Sequence, residues 1–358
     1  MDNSNFKKRY SQLSKEFLIE YGKENNDVVL SPISIIALLC MAADSTGSET
    51  RDEIIKLVCE EGNFEEFRQH VQKLCTLLSD DDSLSLANAL CLNETIKDTI
   101  KPDFKEKFIN GYGADLFASK NIVDDVNAWV REKTKGMIEQ IADKKMEKML
   151  ACLMNAICFD AKWENEYEQS DIEKGEFQNV DGSQSRVINL ISSENEYIEN
   201  GMFTGFARPY KGNEYSFMAL LSKDENRKLC DLVSDLDLGK LYENRTAHEV
   251  TVTIPEFCYD FSEDLTDFLQ SQGMEKIFTP GVDFSPMTDE WIKADGIIHK
   301  AHIELNRKGT KAAAVTSMFD VLGSYSDVAF VFLNRPFIYA IMHNKTGLPV
   351  FAGMVNRL

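Results

Sequence analysis

Apolar residues recur every three to four positions through much of the first half of the chain, over 6–21, 33–42, 48–59, 64–78, 101–108 and 123–141, and that spacing predicts helices. Among them, 85–92 reads as a strand. From about residue 150 the balance shifts to strands, predicted over 153–159, 216–221, 250–254, 328–333, 337–342 and 350–355. The turn-rich His343-Asn344-Lys345-Thr346-Gly347 between the last two predicts a hairpin. The pattern is that of an antiparallel-rich α+β architecture with long-range strand pairing.

One stretch fits neither period cleanly. Gly309-Thr310-Lys311-Ala312-Ala313-Ala314-Val315-Thr316 begins at a glycine, which can visit backbone angles closed to other residues, and continues in side chains small enough to slide between two existing strands. At period two, Thr310, Ala312, Ala314 and Thr316 share one face, which could enter a packed interior without overfilling it. Lys311, Ala313 and Val315 point the other way, where the ammonium stays in water. The same Lys-Ala-Ala-Ala run is also a good helix former, so local chemistry leaves strand and helix open.

Composition narrows the partners. With 358 residues and 43% apolar side chains, the chain can bury one large core or two ordinary ones. Apolar segments spread evenly from Val28 to Val355 without Pro/Gly/Ser-rich linkers or repeats, so a single integrated domain is expected. The net charge of −20, with no basic run longer than pairs such as Lys144-Lys145, argues against a nucleic-acid or anionic-membrane partner. A neutral or cationic partner is expected instead. The eight cysteines sit mostly in apolar runs without metal-ligand spacing and read as free, buried thiols. The first thirty residues carry no signal-like apolar stretch, and the longest apolar run, 35–43, is too short to cross a bilayer. The chain reads as soluble, either leaderless or already processed, which leaves secreted and cytoplasmic settings open. Asn-x-Thr triplets at Asn93, Asn244 and Asn344 carry meaning only with a secretory route.

Catalytic signatures are missing. None of the nineteen glycines begins a nucleophile elbow, a phosphate loop or a dinucleotide fingerprint, so no enzyme, metal or cofactor is expected. Of the histidines, only His299 and His302 are close in sequence, and His299 in its strand-like setting reads as a buried, hydrogen-bonded core residue rather than a ligand or base.

Several separated segments, in order along almost the whole chain, carry a family resemblance. They are Val29 to Ile35 (VLSPISI), Ala87-Asn88-Ala89-Leu90, Val126 to Val130 with Glu132 to Gly136, and Asn155-Ala156-Ile157 through Lys162-Trp163. Pro209 to Gly212, Ile254-Pro255-Glu256-Phe257, His299-Lys300-Ala301 and Asn334-Arg335-Pro336-Phe337 complete them. Together they resemble the serpin family. The resemblance implies one serpin domain over 1–358, with eight to nine helices around three β-sheets and an exposed reactive-centre loop at about 307–333. It implies suicide-substrate inhibition of a serine protease in a covalent 1:1 complex, by a monomer that needs no cofactor. The protease cuts the loop, and the loop then inserts into the central sheet before the acyl-enzyme is hydrolysed.

By the same resemblance, Gly309 to Thr316 is the hinge of that loop and Gly323-Ser324 the reactive bond, with Leu322 and Tyr325 as alternatives. The apolar setting suits elastase-like or chymotrypsin-like proteases, and no Lys or Arg lies between Lys311 and Arg335 for a trypsin-like one. Inhibition of cysteine proteases and a non-inhibitory binding or chaperone role are the alternatives. Ser31, Ser34, Asn155 and His299 match the polar cluster where strands part for insertion, and Trp163 the aromatic at the top of the opening. Two positions depart from the family pattern. Asp320 would face inward after full insertion, where a carboxylate is costly. Arg307 and Glu256 stand where members commonly carry the opposite charges, which predicts a swapped salt bridge at the top of the sheet.

Overall fold

The computed structural model describes residues 3–310 and 328–358, apart from 61 and 280. Its helices are α1 (Asn3–Gly22), α2 (Pro32–Ser45), α3 (Ser48–Cys59), α4 (Phe64–Ser79), α5 (Pro102–Tyr112), α6 (Ile122–Lys133), α7 (Leu229–Val233), α8 (Leu238–Glu243) and α9 (Thr266–Ser271). The strands are β1 (Val28–Leu30), β2 (Leu84–Asn93), β3 (Asp115–Ser119), β4 (Ala151–Phe159), β5 (Ala161–Lys162), β6 (Ile172–Gln178), β7 (Gln184–Glu199) and β8 (Phe203–Pro209). They continue as β9 (Tyr215–Ser222), β10 (Thr246–Pro255), β11 (Phe257–Asp264), β12 (Gly296–Asn306), β13 (Gly309–Thr310), β14 (Ala329–Phe332), β15 (Phe337–His343) and β16 (Leu348–Val355).

The chain divides into two compact units, interleaved in sequence: 1–10, 33–158 and 260–302 form one, and 11–32, 159–259 and 303–358 the other. In the first unit, strands run in the order β3-β2-β4-β12. Period two sorts them: Ala87, Ala89 and Cys91 of β2, Cys152, Met154, Ala156 and Cys158 of β4 and Ile298 of β12 join Val126 and Val130 of α6 in one apolar cluster. Asn88, Asn155 and His299 alternate with these and lie on the opposite face. In the second unit, nine strands pair in the order β1-β16-β15-β9-β8-β7-β10-β14, with β6 on β7, and the predicted hairpin is β15 against β16. The sixteen-residue β7 pairs with β6, β8 and β10, so among the described residues all these strands form one hydrogen-bonded network.

Local chemistry explains where elements stop. Asn63 caps α4 by accepting from the backbone N–H groups of Glu65 and Glu66, and the acidic first turn suits the helix N-terminus. The apolar spacing over 123–141 predicts a longer helix than forms. After Lys133 the backbone turns left-handed at Lys135 and Gly136, and the Gly136 N–H donates back to the Arg131 carbonyl. The returning segment is held by Asn127, whose Oδ1 accepts from Ile141 and Ala142, both at 2.9 Å. Ile138 and Ile141 still reach the same cluster, which is why their spacing imitated helix.

Candidate functional site

The site is a seam between two parallel strands. β4 and β12 pair from Cys152↔Gly296 through Asn155↔His299 to Cys158↔His302. Beyond that pair they are no longer neighbours. Further along β12 its neighbour is a two-residue strand: Asn306 pairs with Gly309, and Gly309 and Thr310 pair on their other side with Lys162 and Ala161 of β5. β5 follows β4 after a single residue, and β13 is hydrogen-bonded between β12 and β5.

Gly309 has φ of +140°, and a Cβ there would overlap the Ala161 carbonyl oxygen, so only glycine passes this point. Thr310 is fully buried, and its hydroxyl meets the Tyr210 hydroxyl at 2.9 Å. The turn before it is tied to the segment after β5. The Trp163 backbone N–H donates to the Lys308 carbonyl, its indole N–H to the Asn306 carbonyl at 3.0 Å, and the Tyr167 N–H to the Arg307 carbonyl at 3.0 Å. Trp163 stacks on Tyr210 at 4.5 Å and 9°. The Arg208 guanidinium lies over the Trp163 and Tyr167 rings and pairs with the Glu194 carboxylate, both side chains being buried. Burial pushes the Tyr210 phenol well up, so it stays a neutral hydrogen-bonding group.

A polar ladder crosses the closed part of the seam. Asn155 Nδ2 donates to Asn88 Oδ1 at 2.8 Å, and the His299 Nδ1 position lies 3.0 Å from Asn155 Oδ1. Because that oxygen can only accept, His299 carries its proton on Nδ1. The imidazole is wholly buried, and desolvation lowers its pKa from 6.5 to about 3, so it is neutral at any ordinary pH.

The Serpin (serine protease inhibitor) family model matches residues 8–358. The chain belongs to the serpin family. Among curated relatives, Iripin-1 of Ixodes ricinus is 29% identical, the match covering 93% of this chain and 89% of that one. The thermophilic serpin Tengpin in its native state superposes with a TM-score of 0.87 at 32% identity, over 98% of this chain and 94% of that one. Against Tengpin in the latent state the TM-score is 0.80. Thyroxine-binding globulin in complex with thyroxine shares the fold, with a TM-score of 0.87 at 22% identity over 98% of both chains.

The serpin fold expected from the motifs is therefore present, with the described strands hydrogen-bonded in two sheets where three were expected. His299 and Asn155 are brought together as a hydrogen-bonded pair, and Ser31 and Ser34 are fully buried. Trp163 is buried against the 306–308 turn. Glu256 and Arg307 meet, though differently from a simple swapped ion pair: the carboxylate accepts from the Arg307 backbone N–H at 3.0 Å, while the Nε stands 3.6 Å away on a half-exposed side chain. Of the expected hinge, Gly309 and Thr310 form β13. Lys311, Ala312, Ala313, Ala314, Val315 and Thr316 lie outside the described residues, as do Asp320 and the expected reactive-bond positions Leu322, Gly323, Ser324 and Tyr325. The ends of the expected 307–333 loop include the strands β13 and β14. Asn88 and Tyr210 lie inside two of the motif segments but have no role assigned there, and Arg208 lies outside them; the contacts of all three depend on strand neighbours far away in sequence.

All eight cysteines are free thiols; six are buried, Cys230 is half-buried and Cys258 exposed. No described helix is long and apolar enough to cross a membrane.

Proposed function

We propose that this serpin is a suicide-substrate inhibitor of serine proteases with elastase-like or chymotrypsin-like pockets. The observation that carries the proposal is the seating of Gly309-Thr310 between β12 and β5, on the strand β12 that pairs with β4 earlier along its length. The first two residues of the hinge already occupy a strand position, and the six that follow in sequence are Lys, three Ala, Val and Thr. Small side chains can follow them downward, because a large inward group or a proline would stall the strand.

In this mechanism the protease serine attacks the carbonyl of Gly323, or of a neighbour within 322–325, and the C-terminal fragment leaves with its new amine. The freed N-terminal arm then threads between β4 and β12. About fifteen inserted residues at roughly 3.3 Å each move the acylated protease on the order of 50 Å. Its catalytic groups lose register and the ester is not hydrolysed. The inhibitor contributes no catalytic residue; its work comes from the ladder hydrogen bonds and apolar burial gained on insertion.

Family members are mainly protease inhibitors, but some, thyroxine-binding globulin among them, are not. A binding role without insertion is therefore the second reading, and the alanine-rich hinge argues against it. The test is incubation with elastase-like and chymotrypsin-like proteases. A complex that survives denaturing electrophoresis, with release of a peptide beginning within 323–326, supports the proposal; cleavage without complex removes it.

A further inference from the structure

Four large apolar side chains are exposed among the described residues, and two of them stand side by side on one short strand. Phe330 is 62% and Phe332 44% exposed, with ring centroids 5.9 Å apart, whereas Val331 between them is fully buried. Their strand, β14, is the last in its sheet among the described residues, parallel to β10. Register extends the face inward: Phe330 pairs with Thr251 and Thr251 with Ser193, while Phe332 pairs with Thr253 and Thr253 with Ile191. This makes an uncharged, aromatic-edged stripe, bordered by Glu249 on Ser193, on a protein of net charge −20. Isolated exposed apolar residues are ordinary, but a paired aromatic patch on an uncharged face is the pattern of an interaction surface.

We infer that this face docks the body of the target protease, as a contact separate from the cleaved loop. The inference rests on the inhibitor reading and extends it to a second part of the same partner. Chain connectivity selects the occupant. Phe330 lies six residues beyond Ser324, and six residues span at most about 20 Å. A protease domain of about 200 residues has a radius of gyration of about 16 Å, so a protease engaged at the reactive bond lies within reach of β14. The two phenylalanines would then lose water together under a neutral or apolar part of the protease rim, away from its cleft.

The test compares the wild-type chain with Phe330→Ser/Phe332→Ser and, separately, with Thr251→Lys, which places a charge beside Phe330 without removing a ring. Total loop consumption by each protease is followed, counting covalent complex and nicked chain together, so the readout survives even if inhibition fails. The docking face predicts at least about a tenfold fall in the consumption rate constant for both variants, the size expected when hot-spot aromatics are lost. The ratio of complex to nicked chain, the melting temperature and the rate of an Ile109→Ser control should not move. Unchanged consumption in both variants overturns the inference while leaving inhibition standing. Nicking without complex, slowed in both variants, supports docking and removes inhibition. A chain that neither protease cuts overturns both. If the wild type is a dimer that the double variant dissociates, with consumption unchanged, the face is a self-contact and the inference is wrong.

Discussion

Acid should loosen the β4/β12 seam through one residue, His299. Its imidazole is wholly buried and its pKa is depressed from 6.5 to about 3, while any state in which β4 and β12 separate lets it titrate at its ordinary value. A group depressed in the closed fold contributes stability that is fully present above pH 6.5 and is lost as pH falls toward 3. Between pH 7.5 and pH 5 the ratio of opened to closed seam should rise about 30-fold from this group alone, equivalent to about 2 kcal/mol. The perturbation is His299→Gln, which keeps an N–H for Asn155 Oδ1 and removes the titration. A serpin that converts irreversibly has no simple equilibrium stability, so the assay is a rate: unfolding in fixed denaturant at pH 7.5 and 5.0. The wild type should accelerate up to about 30-fold more than the variant over that interval. Equal acceleration of the two would refute the reasoning, because other carboxylates titrate in both.

Gly309→Ala should expel the 309–310 strand from beside Ala161 and Lys162, at a cost of about 1–3 kcal/mol visible as a lower melting temperature; a neutral substitution would mean the turn relaxes freely. Thr310→Val leaves the buried Tyr210 hydroxyl without that partner and should cost about 1–3 kcal/mol, much of it recovered when Tyr210→Phe is added, whereas additive losses would deny the coupling. Because Glu256 holds the Arg307 backbone N–H as well as its side chain, Glu256→Ala should speed spontaneous loop insertion clearly while Arg307→Ala changes stability by less than about 0.5 kcal/mol. Equal effects of the two would restore a side-chain ion pair as the main contact.

Much of the fold is written in spacing. The buried α2 and the amphipathic α3 and α4 announce themselves, and α3 forms over the span its apolar residues predict, Ser48–Cys59. β7 does not, because its buried positions 187, 190, 194 and 198 fall at helix-like intervals along a strand whose burial is set by three different neighbours. The seam was legible only as a list of motif residues. His299 and Asn155 are 144 positions apart, and their contact depends on the register of two parallel strands, which local sequence does not encode. The expected hinge shows the same division. Its small side chains are visible in the sequence, but for Gly309 and Thr310 the strand is set by pairing partners, Leu305 and Asn306 on one side and Lys162 and Ala161 on the other, and 311–316 lie outside the described residues. The Glu256 contact could be anticipated from its reversed charge; the share carried by a backbone N–H could not.

The central claim is that cleavage in the loop lets the hinge strand run down the seam and complete the sheet. Its most direct measurement is the melting temperature of the chain after a single cut in the loop, compared with the intact chain. Insertion predicts that the nicked protein melts well above the intact one, since it has gained a strand's hydrogen bonds and burial. A nicked protein that melts at or below the intact temperature would contradict the account.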